Sequence, residues 1–143
     1  MKKSKIKKTI QFLLFTVFIV GVGTHMFAQE NQSTDLKDFE IIIEQADRVI
    51  KMKCVKGCAW NELSFGITYY DTKSVDEFGM TETNKNSSII DENLANFLFN
   101  LKITINGIKL EGVEGTAWTD LSFPLSKKDK QKINQFGMSL TKD

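Results

Sequence analysis

The sequence predicts an all-β domain: two tandem four-stranded meander repeats packed into one sandwich or barrel-like body, behind a helical signal peptide. Three observations predict it. The chain aligns with itself at a shift of 58 residues. Phe97, Phe99, Leu101, Ile103 and Ile105 recur at every second position, the period of a half-buried strand. Asn106-Gly107 then interrupts the alternation with the residue pair a tight hairpin favours.

The 143-residue chain opens on Lys2, Lys3, Lys5, Lys7 and Lys8. An apolar run from Phe12 to Val22 follows, broken only by Thr16, and small Ala28 precedes Gln29. Charged start, short apolar middle and small-residue exit make residues 1–28 a secretory signal peptide. The competing reading is an uncleaved anchor. A span takes about 20 mostly apolar residues, and this run reaches that length only by including Thr24 and His25. No cysteine ends the run, which argues against a bacterial lipid anchor. The expectation is export to the periplasm or beyond, with no stable membrane insertion after cleavage. Residues 29–35 form an N-terminal tail. The 115 residues after position 28 carry 14 basic and 18 acidic side chains, a formal −4, and no histidine. That balance excludes a strongly basic nucleic-acid binder, and the missing histidine removes the common serine and cysteine triads.

The repeat pairs residues 36–83 with 94–141 without a gap, with 16 identities in 48 positions. Cys54-Val-Lys-Gly-Cys-Ala-Trp-Asn-Glu-Leu-Ser-Phe65 falls on Gly112-Val-Glu-Gly-Thr-Ala-Trp-Thr-Asp-Leu-Ser-Phe123, and Phe78-Gly-Met80 on Phe136-Gly-Met138. Residues 84–93 read as a linker inside one compact domain, 36–141, and Ser88-Ile-Ile-Asp91 as the cap of a short helix to about Asn96. Phe39, Ile43, Ala46 and Ile50 sit at helical spacing. Their counterparts alternate as strands, and copies of one sequence share one fold, so both are read as strand–turn–strand. Asn106 and Gly107 are expected as the two central residues of a turn with positive φ at both. A third strand follows through Leu63, Phe65, Ile67 and Tyr69, and through Leu121, Phe123 and Leu125, where Pro124 implies an edge or an early end. A fourth runs through Phe78-Gly-Met80 and Phe136-Gly-Met138, with Gly79 and Gly137 marking a bulge or a close backbone approach.

Cys54 and Cys58 are read as a disulfide, because both change together in the second copy, to Gly112 and Thr116. A redox thiol pair or two-thiolate metal site is the alternative; with no histidine and no third cysteine after residue 28, a closed zinc site needs carboxylates or a second chain. Trp60, Phe65, Trp118 and Phe123 are expected in the core, since a tryptophan recurring before a Leu-Ser-Phe strand fills the same place twice. Phe78, Met80, Phe136 and Met138 are expected there too. Tyr69 and Tyr70, followed by Asp71, are the ligand-contact candidates. Glu62 and Asp120 are equivalent acids, as are Asp71 and Asp129; acid–base work needs two of them brought close. Lys127-Lys-Asp-Lys-Gln-Lys132 reads as a charged turn able to touch anionic lipid or polysaccharide. No catalytic residue, cofactor or metal ligand is assigned.

The signature Gly57-Cys-Ala-Trp60…Leu63-Ser-Phe65…Phe78-Gly-Met80, with its second copy, resembles a group of uncharacterised small secreted two-repeat proteins of Bacteroidetes-type bacteria. The resemblance spans nearly all of the chain after residue 28. It implies export across an inner membrane and carries over no activity, cofactor or site residue. The functional expectation is a non-catalytic binding protein whose partner is a protein or envelope component. A carrier of a small apolar ligand and a carboxylate-based hydrolase are the alternatives.

Overall fold

A computed structural model describes residues 35–83 and 90–141, which fall within one compact unit, Ser33–Asp143. The predicted signal peptide, residues 29–34 and positions 84–89 of the linker lie outside the described residues. The first repeat supplies β1 (Glu40–Ala46), β2 (Val49–Lys56), β3 (Glu62–Gly66), β4 (Lys73–Asp76) and β5 (Gly79–Thr81). The second supplies β6 (Leu98–Thr104), β7 (Gly107–Glu114), β8 (Asp120–Phe123), β9 (Lys130–Asn134) and β10 (Gly137–Ser139). β1, β2 and β5 recur as β6, β7 and β10 with bounds offset by 58 residues.

The strands form two five-stranded antiparallel sheets, ordered β10-β9-β1-β2-β3 and β5-β4-β6-β7-β8. The fold is an all-β sandwich with two separate sheets, not a closed barrel. Two expectations are corrected. Each repeat has five strands rather than four, because the Phe-Gly-Met segment is half of a hairpin. Nor is a repeat one continuous meander. The β4–β5 hairpin leaves its own repeat to pair with β6, and β9–β10 pairs with β1 in return. The registers correspond: Val75 lies opposite Phe99 just as Ile133 lies opposite Ile41. Each sheet is therefore three strands of one repeat completed by two of the other.

Alternation decides what fills the space between the sheets. Ile41 and Ile43 of β1, Ile50 and Met52 of β2, Phe99 and Leu101 of β6, and Ile108 and Leu110 of β7 are fully buried. Phe39 and Phe97, which precede the two central strands at equivalent positions, meet with ring centroids 4.5 Å apart. A residue touching its own counterpart marks the axis of an approximate twofold, as in an isologous contact. Phe97 stacks on Phe99 at 5.7 Å, and Phe99 meets Trp118 at 6.1 Å. Short β4 and β9 contribute one sealed apolar residue each, Val75 and Ile133.

The turns bring further corrections. The β6–β7 hairpin places Ile105 and Asn106 in its loop, and positive φ occurs at neither; it falls on Gly107 (φ 134°), the first residue of the return strand. Glycine is required there twice over, since a Cβ would also run into the Phe123 carbonyl of β8. Gly79 and Gly137 occupy the same post-turn position (φ 128° and 132°), with room around them, so backbone conformation and not close approach explains both. The preceding turns are pinned alike: the Phe78 amide donates to Asp76 Oδ1 and the Phe136 amide to Asn134 Oδ1, each at 2.8 Å. Phe78 thus sits on a turn and Met80 on an edge strand, exposed, as are Phe136 (71% exposed) and Met138, so these four are not core residues. Residues 91–94 form turns rather than the expected helix: Asn93 and Leu94 donate their amides to Asp91 Oδ1 and the Asp91 carbonyl. β8 ends at Phe123, before Pro124, on the sheet edge.

Candidate functional site

The two ends of the sandwich differ in character. One end carries the joints that hold the frame. Cys54 and Cys58 are disulfide-bonded with Cα atoms 6.2 Å apart, clipping the end of β2 to the segment before β3. A bonded pair points to an oxidising compartment. In the second half Gly112 and Thr116 take these places, and Thr116 Oγ1 donates to the Trp118 carbonyl at 2.8 Å. Trp60 Nε1 donates to the Asp76 carbonyl (3.0 Å) and Trp118 Nε1 to that of Asn134 (2.9 Å). Each tryptophan ties its own repeat to the hairpin that has crossed to the other sheet. Trp118, Phe65 and Phe123 are buried; Trp60 is half-buried against the core.

The other end carries turns. Thr68–Asp71 is a β-turn closed by the Asp71 amide on the Thr68 carbonyl (3.1 Å), with Tyr69 and Tyr70 at its centre. Asp71 Oδ2 accepts the Thr68 amide at 3.2 Å, which pins the turn a second time. Tyr70 is 98% exposed and Tyr69 66%. The turn is fixed to the β1–β2 hairpin by the Ile67 amide, which donates to the Arg48 carbonyl at 2.9 Å. Between them lies a hollow of about 220 Å³, walled by Tyr69, Tyr70, Gln45, Asp47, Arg48 and Thr68, and floored by buried Ile67 and Ile103. Two residues past Ile103, Ile105 stands 91% exposed on the β6–β7 loop.

The equivalent turn of the second half, Ser126–Asp129, is closed in the same way, by the Asp129 amide on the Ser126 carbonyl at 2.9 Å. Its central residues are Lys127 and Lys128. Lys127 pairs with Asp47 at 2.8 Å, and Lys128 adopts φ 75°. The lysine-rich turn therefore lies against the β1–β2 hairpin, committed in part to holding it.

The acids are not gathered. Glu62 and Asp120 lie on edge strands of different sheets. Asp120 is exposed and pairs with Lys109 at 2.9 Å, which holds the Lys109 ammonium above its ordinary range. Glu62 lines a wider hollow, about 560 Å³, on the outer face of the first sheet with Glu44, Lys51, Lys53 and Lys130. Glu44 and Glu62 stand on β1 and β3 with β2 between, and the register offsets them by two residues, which puts them roughly 12 Å apart by strand geometry. Long charged side chains surround this hollow and no aromatic face does, so its size is that of a curved strand surface. Asp71 braces the tyrosine turn. Among the described residues no group of three His, Cys, Asp or Glu is placed to hold a metal ion, and no helix is long and apolar enough to cross a membrane.

Reading along the chain found Tyr69 and Tyr70 but not Gln45, Arg48, Ile103 or Ile105. The signal that finds Ile105 is where the two copies differ: it aligns with Asp47, as the tyrosine pair aligns with the lysine pair. Compared with protein-family models, curated proteins and solved structures, the chain matches none.

Proposed function

We propose that this is an exported, non-catalytic β-sandwich that works by binding, in the periplasm or outside the cell, through the end that bears Tyr69 and Tyr70. The carrying observation is the doubly pinned turn that holds two adjacent tyrosines in solvent. Tyrosine offers a large amphipathic face with few torsions to freeze, and a pre-formed turn lowers the ordering cost of contact. Large side chains occupy the space between the sheets, which favours surface contact over carriage of an apolar ligand inside. The leader-like residues 1–28 and the disulfide support export.

The test immobilises the chain from Gln29 onward and challenges it with envelope extract. Wild type and Lys128→Asn are expected to retain the same component, and Tyr69→Ala/Tyr70→Ala to lose at least tenfold of it. Equal retention by the tyrosine variant, or retention of nothing by wild type, overturns the reading. Fractionation of the source cells, with intact mass of the exported species, checks that the chain leaves the cytoplasm without residues 1–28.

A further inference from the structure

We propose, resting on that binding reading, that the hollow beside Tyr69 and Tyr70 is a carbohydrate subsite accepting one ring of an uncharged oligosaccharide. A sugar ring has two apolar C–H faces and a belt of hydroxyls, each both donor and acceptor. The hollow answers both features. Tyr69 and Tyr70 supply aromatic faces, whose negative quadrupole attracts the slightly positive C–H hydrogens. Around them Arg48 supplies donors, Asp47 acceptors, and Gln45 and Thr68 both kinds.

Size and charge narrow the choice further. At about 220 Å³ the hollow is smaller than sites for drug-sized ligands, roughly 300–1,000 Å³, and its scale is that of a single ring. A stable protein partner would instead meet a broad patch of about 800 Å². Asp47 lies between Arg48, its neighbour in sequence, and Lys127, which pairs with it at 2.8 Å, so the carboxylate is already matched and the wall presents no unpaired acid. An anionic ligand would favour the other turn, where Lys127, Lys128 and Lys130 concentrate positive charge. The frame thus offers an internal comparison: the equivalent turn, closed by the same backbone hydrogen bond but with Lys128 at φ 75°, carries lysines in place of the aromatic pair. Rigidity matters too, because shallow sugar contacts leave little free energy for ordering a loop, and this one is ordered by Asp71 and the Ile67–Arg48 bond.

The test is calorimetric titration of the chain from Gln29 onward with uncharged hexasaccharides: N-acetylchitohexaose, cellohexaose, xylohexaose, mannohexaose and maltohexaose. Polygalacturonate and heparin serve as anionic comparisons. At least one neutral probe is expected to bind. Tyr69→Ala/Tyr70→Ala should weaken it tenfold or more, Tyr69→Phe/Tyr70→Phe should keep most of the affinity, and Lys128→Asn, which leaves the Lys127–Asp47 pair in place, should change it less than twofold. All variants should keep the wild-type circular dichroism, since both tyrosines are exposed. Binding of no neutral probe, of an anionic polymer only, or of a neutral probe undiminished in the tyrosine-to-alanine variant overturns the proposal. If no sugar binds while envelope capture still depends on the tyrosines, the ligand is not a carbohydrate and the binding surface stands. If capture fails as well, both readings fall.

Discussion

The two halves of the sandwich share a frame and part company at its ends. Both keep a tryptophan whose indole N–H caps a carbonyl of the crossing hairpin, a Leu-Ser-Phe edge strand, and glycine after the hairpin turn. They differ in how two places on that frame are finished. A disulfide stands in one half and a glycine–threonine pair in the other; one turn presents tyrosines and its twin lysines. Many recurring residues seal the core or satisfy backbone groups, while Phe78/Phe136 and Met80/Met138 recur with exposed side chains. The divergent ones were free to acquire a surface role, and the tyrosine turn is the clearest instance.

The largest effect should come from separating the halves. Because β4–β5 completes the second sheet and β9–β10 the first, neither repeat can cover its central strand alone. Expressed as two chains cut within residues 84–93, each should lack a cooperative melt as a monomer, and mixing them should restore one. Melting curves and sedimentation check this. A first half that folds cooperatively as a monomer would show its hairpin returning to its own β1 and would break the comparison.

Next in size is the tryptophan pair. Trp118 is 8% exposed and meets Phe99, whereas Trp60 is half-buried and has Ile41 at the position corresponding to Phe99. Trp118→Ala is expected to cost about 3–5 kcal/mol. Trp60→Ala should cost less, about 2–3 kcal/mol. Urea denaturation of the two variants measures the gap, and equal losses would mean that the second half's aromatic cluster adds nothing to the shared frame.

These positions also show what the sequence makes legible. The alternation from Phe97 to Leu110 reads directly as β6 and β7, whereas β1 and β2, with their Ile41-Ile42-Ile43 run and helical spacing, are legible only through that second copy. The exchange of hairpins does not read directly. β4 and β9 carry a single inward apolar residue each, Val75 and Ile133, and one residue makes no period. Phe78 and Phe136 look like core because they are apolar and repeated; what repeats is the turn that holds their amides. The tyrosine pair was visible as a pair. Its hollow was not, being assembled from the β1–β2 tip, the β3–β4 loop and the end of β6.

The disulfide should matter less than either. Its loop is short, so the chain-entropy model gives about 2 kcal/mol. Cys54→Ala/Cys58→Ala should lose about that much by urea melts and keep the sandwich. Copying the clip into the other half, Gly112→Cys/Thr116→Cys, should bring no gain, because a Cβ at position 112 meets the Trp118 carbonyl. A second bridge that stabilises by as much as the first would show the two halves to be interchangeable at this joint.

The smallest expected difference is one of pH. Asp38 accepts from Lys56 at 2.7 Å and from Gln135 Nε2 at 2.8 Å, tying the segment before β1 to β2 and to the other repeat's hairpin. Its counterpart Asn96 donates to Glu114 at 2.6 Å. Lys56 above all, and the Gln135 bond after it, hold the Asp38 carboxyl below the usual carboxylate range. A lowered folded-state pKa favours the native state above the unfolded value, about 4, and that contribution disappears as pH falls through the folded value. Asp38→Asn should therefore melt slightly below wild type at pH 6, and the difference should close once the medium is acid enough to protonate the carboxyl in the folded state. Both partners are well exposed, so the gap should also shrink in molar salt. A gap that survives acid would mean that Asp38 acts through its hydrogen-bonding shape, as Asn96 does, and not through its charge.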